Sequence, residues 1–175
     1  MSYLYPIVPE KVVGKKLYPL NVLKYKLPEV YKKEIKKYKG REYVLEKKIP
    51  TLNCFWNDAL HFVAVHPKKI KNELEKAGFK TPKKWRWFKI KASDINPNKA
   101  AIYLFKYNIK NPLALNNFTK YNPKQISGYD KITARTKKHY CKAYQQKQNL
   151  LKFMFIPHIL LKDSFDTRKA EIIEV

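Results

Sequence analysis

The first residue suited to chemistry is His61, which lies in the apolar run ALHFVAVH (59–66) five positions before His66. Residues five apart face opposite sides of a strand, and on a helix they lie about 140° apart. The two imidazoles therefore do not form a local metal site of the HExxH kind, and we expect no metal ligands here. Either His61 acts singly, as a general base or substrate ligand, or it is a half-buried histidine hydrogen-bonded to the backbone. His66, directly before Pro67, suits a capping or turn role.

A second candidate site is the basic segment YDKITARTKKHYCKAYQQKQ (129–148), which has a helical pattern. Arg135 and His139 are four residues apart and share one face of a helix. A guanidinium beside an imidazole suits a phosphate, and neighbouring tyrosines can stack on bases. The alternative is a solvated basic face whose tyrosines pack on a sheet. The nucleic-acid contacts predicted in this segment are Arg135, Lys138, Tyr140, Lys142 and Tyr144.

A third candidate interleaves aromatic and basic residues in KKWRWFKIK (83–91). A strand places Trp85 and Trp87 on one face and Arg86 on the other. Tryptophans beside cations are typical of a stacking platform for single strands, so we predict that these three residues contact nucleic acid. The alternative is that both tryptophans belong to the core.

His158, after Pro157 in FIPHILLKDSFD, completes a possible catalytic set with His61 and His139. If it meets one of the other two across a sheet, two imidazoles and a cation permit metal-independent cleavage of RNA. One imidazole takes the 2′-hydroxyl proton, the second protonates the leaving oxygen, and the cation stabilises the transition-state charge. This hypothesis predicts a nuclease or toxin-like enzyme that needs no cofactor.

The segment LHFVAVHPKKIKNELEKAGF (60–79) resembles the strand–histidine–helix–glycine opening of ADP-ribosyltransferase-type folds. The resemblance covers about twenty residues. It implies an alternative function, an enzyme that uses NAD, in which His61 contacts the NAD. The acidic catalytic residue that such enzymes use has no counterpart before Glu171.

The net charge of +24, from 38 basic and 14 acidic residues, predicts a polyanionic partner. Lysine dominates, with 34 lysines and 4 arginines. Because arginine is the main reader of base edges, we expect recognition of backbone and shape, with RNA or single strands as the partner. A non-enzymatic adaptor that binds an acidic protein is the remaining alternative.

Two widely separated cysteines and the absence of an 18-residue apolar run predict a cytoplasmic protein without a membrane span. Classical nucleotide-binding loops are also missing, since neither GxxxxGK[ST] nor GxGxxG occurs.

Local patterns predict a single α+β domain over residues 1–175, with a curved, mostly antiparallel sheet and two or three helices. The clearest helix signal runs from Pro67 to Gly78, with proline at the start and glycine at the end. A short helix ends at Gly40, and the second basic helix covers 130–147. The predicted strands are 20–25, 42–48, 59–66, 85–93, 100–109, a central strand in 150–161 that ends or bends at Pro157, and 171–175. A long irregular loop is expected over 110–130.

Overall fold

The computed structural model describes residues 1–9, 14–106 and 114–175, in which helices are interspersed among antiparallel strands. This confirms the predicted α+β class. The α-helices of the described residues are α1 (Leu20–Lys26), α2 (Pro28–Glu34), α3 (Pro67–Lys76) and α4 (Ala134–Gln145). The strands are β1 (Tyr3–Leu4), β2 (Lys16–Leu17), β3 (Lys48–Ile49), β4 (Cys54–Phe55), β5 (Leu60–Val63), β6 (Arg86–Lys91), β7 (Ala100–Tyr103), β8 (Phe118–Lys120), β9 (His158–Leu161), β10 (Phe165–Asp166) and β11 (Ala170–Glu174).

The larger sheet has the order β5-β9-β7-β8, and every pairing in it is antiparallel. On one face Phe62, Ile159 and Ile102 pack together in a buried cluster. On the other face Leu160 and Tyr103 are also buried. A strand covered on both faces needs a nearly continuous apolar run, so the buried strand predicted over 59–66 is confirmed for Leu60–Val63.

The second sheet has the order β1-β6-β11, and the N-terminal segment connects it to the larger one. Tyr5 donates its backbone N–H to the carbonyl of Val63 on β5 (2.8 Å). Phe88 on β6 donates to the carbonyl of Pro6 (3.0 Å). Residues 3–7 therefore lie between β5 and β6 and satisfy the backbone groups of both strands.

Helices α3 and α4 begin as elementary capping rules require. His66 caps α3, since its Nδ1 accepts a hydrogen bond from the Lys68 N–H (3.2 Å), and Pro67 occupies the first turn. The capping role predicted for His66 is thus confirmed. Thr133 caps α4 by accepting from the Thr136 N–H (3.2 Å), so this helix begins later than residue 130.

The edge strand predicted over residues 20–25 is wrong, because this segment is helix α1. Its leucines recur at helical spacing, and Leu23 and Leu27 face Leu60 across an apolar cavity of about 180 Å³. Pro19 directly precedes helix α1. Tertiary packing of that leucine stripe decides the structure here.

Three other segments differ in detail from the sequence-based expectations. Residues 42–48 are mostly not strand, since a short 3-10 helix covers Glu42–Val44. The expected loop 110–130 contains β8 and 3-10 turns in its described part. Strand β9 begins after Pro157 instead of ending there, because proline has no N–H to donate to the ladder.

Residues 107–109 of the predicted strand 100–109 and residues 110–113 of the predicted loop lie outside the described residues. Among the described helices, none has the length and apolar character that a bilayer span needs.

Gly78 ends α3 with φ +100°, and a Cβ atom there would lie 2.6 Å from Cζ of Tyr144 on α4. Replacing Gly78 with alanine should therefore cost the left-handed backbone strain, about 1–2 kcal/mol, and a smaller steric cost, because the half-exposed Tyr144 ring has to move aside. Denaturant unfolding measures the sum as a lower free energy of unfolding.

Gly40→Ala is the matched control, since Gly40 has φ +77° and open space around its Cα. The free energy of unfolding of this variant should fall by the backbone strain alone. In a Tyr144→Ala background, Gly78→Ala should cost no more than Gly40→Ala. An unchanged cost of Gly78→Ala in that background would contradict the steric explanation.

Candidate functional site: a histidine pair in an aromatic cleft

The register of β5 against β9 brings His61 and His158 together. Val63 is directly opposite His158, and His61 is opposite Leu160. Since residues two apart on a strand share a face, His61 and His158 are diagonal neighbours on one face of the sheet. Their ring centroids lie 5.9 Å apart, with the ring planes at 89°. We call these two residues the histidine pair.

The backbone determines the tautomer of each ring in the pair. Nε2 of His61 lies 3.0 Å from the carbonyl oxygen of Trp56, and Nδ1 of His158 lies 2.7 Å from that of Ile156. A carbonyl oxygen only accepts, so each of these ring nitrogens carries the proton. The free lone pairs are therefore on Nδ1 of His61 and on Nε2 of His158.

Burial keeps both rings uncharged. Desolvation lowers the pKa of His61 from 6.5 to about 4, although the hydrogen bond to Trp56 opposes the shift. Desolvation, with a smaller contribution from the neighbouring His61, lowers the pKa of His158 to about 3. At pH 7 each ring is neutral and offers a lone pair. The pair therefore supplies two bases but lacks the imidazolium acid that RNA cleavage requires.

Aromatic rings surround the histidine pair. The Trp56 ring lies 4.7 Å from that of His61, centroid to centroid. Among the described residues, His158 has four aromatic neighbours besides His61. These are Trp56 (6.2 Å), Tyr103 (6.4 Å), Phe105 (5.2 Å) and Phe153 (6.3 Å).

Helix α4 reaches the outer side of this aromatic group. The Arg135 guanidinium carbon lies 3.7 Å from the Phe155 ring centroid, and Nη1 donates to the Phe105 carbonyl (3.4 Å). The His139 ring also contacts Phe155, at 5.9 Å. Arg135 and His139 thus share a helix face as predicted. The Phe105 and Phe155 rings lie next to each other (5.9 Å) between these side chains and His158.

Two of these phenylalanines have strained backbones. Phe105 has φ +52° and Phe155 has φ +64°, in the left-handed region that bulky side chains rarely adopt. Such conformations cost of order 1–3 kcal/mol each and cluster at functional sites. The Phe105 ring contacts His158 (5.2 Å) and the Phe155 ring contacts Phe105 (5.9 Å), so both strained residues belong to the aromatic group around the histidine pair.

His139 is separate from the pair. Burial lowers its pKa, against a backbone hydrogen bond with Leu151, and its Nε2 is buried without a hydrogen-bond partner among the described residues. The structure therefore brings together His61 and His158, and places His139 behind Phe155.

Burial removes three predicted residues from any stacking surface. Trp87 and Tyr140 are 0 % exposed and Trp85 is 6 % exposed, all in one core cluster. The reason is that both faces of β6 are covered, and that the Thr136–Tyr140–Ala143 stripe of α4 faces the core. The other predicted contacts lie at the surface. Arg86, Lys138 and Lys142 are exposed, and Tyr144 is 50 % exposed while its ring packs on Phe79 (5.3 Å).

No hydrogen bond or ring contact joins His61 to a carboxylate among the described residues, although Glu34 on α2 lines the same cavity as His61. Glu171 lies on β11, in the other sheet, where it pairs with Lys89 (2.9 Å). The role of His61 in NAD binding stays a prediction.

The aromatic residues around the histidine pair differ in how far the sequence points to them. Trp56 stands five residues before His61, and Phe155 stands three residues before His158, so both lie in the segments that carry the histidines. Phe105 lies in the predicted strand 100–109, and no local pattern links it to a histidine.

No family model matches the sequence, and no curated protein or solved structure matches it either. Function therefore has to be inferred from the chemistry of the described residues.

The histidine pair should make the protein less stable in mild acid. The unfolded chain protonates these rings near pH 6.5, whereas the folded chain does so only near pH 4 for His61 and pH 3 for His158. Stability from the neutral rings is thus complete above about pH 6.5 and is lost as the pH falls. Each ring adds about 1.4 kcal/mol per pH unit to the slope of the free energy of unfolding against pH. His158→Gln should remove the share of one ring when unfolding is measured between about pH 6 and 4.

An NMR titration of the histidine rings gives a direct check. Ring signals of His61 and His158 that titrate near pH 6.5 in the folded protein would contradict the assignment of two neutral, desolvated imidazoles.

Proposed function

We propose that the protein binds RNA or other single-stranded nucleic acid, mainly through its phosphates. The composition supports this, because 38 basic and 14 acidic side chains leave at least 38 − 14 = 24 cations without a carboxylate of their own. Such an excess strongly attracts polyanions, and release of counterions from the phosphates supplies sequence-independent affinity.

The observation that carries the proposal is a group of basic and aromatic side chains beside the β3–β4 hairpin. Its residues are Tyr43, Lys47, Lys48 and Phe55, which we call the hairpin surface; all are exposed except Lys47, which is half-buried. Tyr43 is 60 % exposed and Phe55 41 % exposed. Nζ of Lys47 lies 4.6 Å from the Tyr43 ring centroid, and Nζ of Lys48 lies 5.8 Å from that of Phe55.

The arrangement suits a single strand for two reasons. An exposed ring offers a face on which any base can stack, and this is worth about 1–3 kcal/mol per base. The lysine beside each ring is within reach of the phosphate that links stacked bases. These are the stacking and charge functions that the sequence suggested for Trp85 and Trp87, but on side chains that remain exposed.

Lys138 and Lys142 of α4 are exposed as well and offer positive charge on a second element. Lys137 on the same helix is within 3.4 Å of Glu73, so its charge is partly compensated. We therefore assign Lys138 and Lys142 to phosphate contact and expect no base recognition from them.

Binding to unrelated single-stranded oligonucleotides should depend steeply on salt. Each neutralised phosphate contributes about −0.7 to the slope of log affinity against log salt, so about six contacts predict a fall of roughly 300-fold between about 50 and 200 mM salt. Fluorescence anisotropy with labelled RNA measures it. A negligible affinity for the oligonucleotides at both salt concentrations would contradict the proposal.

Substitutions on the hairpin surface should separate stacking from charge. Tyr43→Ala and Phe55→Ala should each weaken binding by about 5- to 150-fold and leave the salt slope unchanged. Lys47→Gln and Lys48→Gln should instead reduce the slope by about 0.7 each, the contribution of one phosphate contact. Tyr25→Ala is the matched control, because Tyr25 is 80 % exposed beside Lys24 (5.8 Å) but lies on α1.

The same variants distinguish an acidic protein partner. Such a partner would also bind with a salt dependence, but nucleic acid would then not compete with it, and the loss of one exposed ring would not alter oligonucleotide binding. Assays of RNA cleavage and NAD turnover with His61→Gln and His158→Gln test the two enzymatic alternatives.

A further inference from the structure

We propose that His61 and His158 together bind a transition-metal dication, such as Zn²⁺ or Cu²⁺, through Nδ1 of His61 and Nε2 of His158. The inference is independent of nucleic-acid binding. It differs from the local His61–His66 motif excluded above, because the second ligand comes from the neighbouring strand.

The spacing of the rings fits a shared ion. A metal bonded to both rings at about 2.0–2.1 Å, with each nitrogen roughly 1.1 Å from its ring centre, would hold the centroids roughly 5–6.5 Å apart for tetrahedral to linear N–metal–N angles. The observed separation is 5.9 Å. The β5–β9 ladder holds both Cα positions, so little rearrangement is needed.

The chemical state of each ring is that of a ligand. A metal-binding histidine typically donates its other ring N–H to a carbonyl or carboxylate, which orients the ring. Both members of the pair do so, to Trp56 and to Ile156. A ligand must also be unprotonated, and burial keeps both rings neutral.

The free nitrogens are accessible to a small ion. Both side chains are partly exposed, and neither free nitrogen is among the fully buried unpaired atoms of the described residues. No third histidine, cysteine or carboxylate joins the pair in a metal-binding group within the part of the chain that the structure describes. Water would complete the coordination, which is the condition of an open site.

The residues around the histidine pair have opposite effects on a bound cation. The rings of Trp56 and Phe105 lie close to the pair and can stabilise a cation through their faces. The Arg135 guanidinium, beyond Phe105, and the net charge of +24 repel it. Added salt screens that repulsion, so metal affinity should rise with salt while nucleic-acid affinity falls. This opposite salt response distinguishes the two proposals.

The test is titration of metal-free protein with Zn²⁺ alone, followed by calorimetry and thermal unfolding. One equivalent should bind and raise the Tm, Cu²⁺ should bind more tightly than Zn²⁺, and Mg²⁺ should have no effect. His61→Gln and His158→Gln should each weaken Zn²⁺ binding by more than the roughly 10- to 100-fold that loss of a ligand's hydrogen-bond partner costs. His66→Gln, at the α3 cap, is the control and should bind as the wild type does.

If a variant does not fold, an NMR spectrum of the ring nitrogens of the wild-type protein tests the same proposal. Zn²⁺ should shift Nδ1 of His61 and Nε2 of His158 and leave the other nitrogen of each ring bonded to its carbonyl. The proposal is overturned if Zn²⁺ does not bind, if it shifts other histidines instead, or if either glutamine variant binds it as tightly as the wild type.

Discussion

The antiparallel pairing of β5 with β9 is the constraint on which the rest of the structure depends. Because side chains alternate between faces with a period of two, this register decides which residues meet on each side of the sheet. It places Phe62 beside Ile159 in one core and His61 beside His158 on the opposite face. A slip of one residue would exchange the two sets, placing the histidines in the apolar cluster and Phe62 on the face that now carries the histidine pair.

The strong positive charge and the apolar core place opposite demands on the histidines. Lysines can keep their ammonium groups in water even where their stems pack on the protein, whereas the imidazoles of His61 and His158 lie among aromatic rings and lose most of their hydration. Desolvation therefore keeps His61 and His158 neutral, and backbone carbonyls select the tautomer of each. Each histidine therefore has one ring nitrogen with a free lone pair. Such a nitrogen can bind a cation or accept a proton, but it cannot donate a proton.

Much of the fold could be predicted from the sequence where one element carries its own signal. Helix α3 was predictable because Pro67, the Ile70–Leu74 stripe and Gly78 lie within twelve residues. Helix α1 was not, because its leucine stripe becomes meaningful only beside Leu60 and the neighbouring helix. The stacking residues were misassigned for the same reason. A strand pattern in KKWRWFKIK shows which side chains share a face, but not that residues of α3 and α4 and the Phe153 ring pack in one cluster with Trp87 and bury it.

The sequence by itself determined the chemical inventory: an excess of 24 positive charges, a cap at His66, and three histidines available for chemistry. Only the tertiary structure decided which of these act together. His61 and His158 are 97 residues apart in the chain, and their meeting depends on strand order and register, which no local periodicity encodes. His139, on α4, contacts Phe155 and is kept apart from the pair, again because of how distant segments pack. Burial, which also arises from long-range packing, then set the protonation of the pair and hence the chemistry open to it.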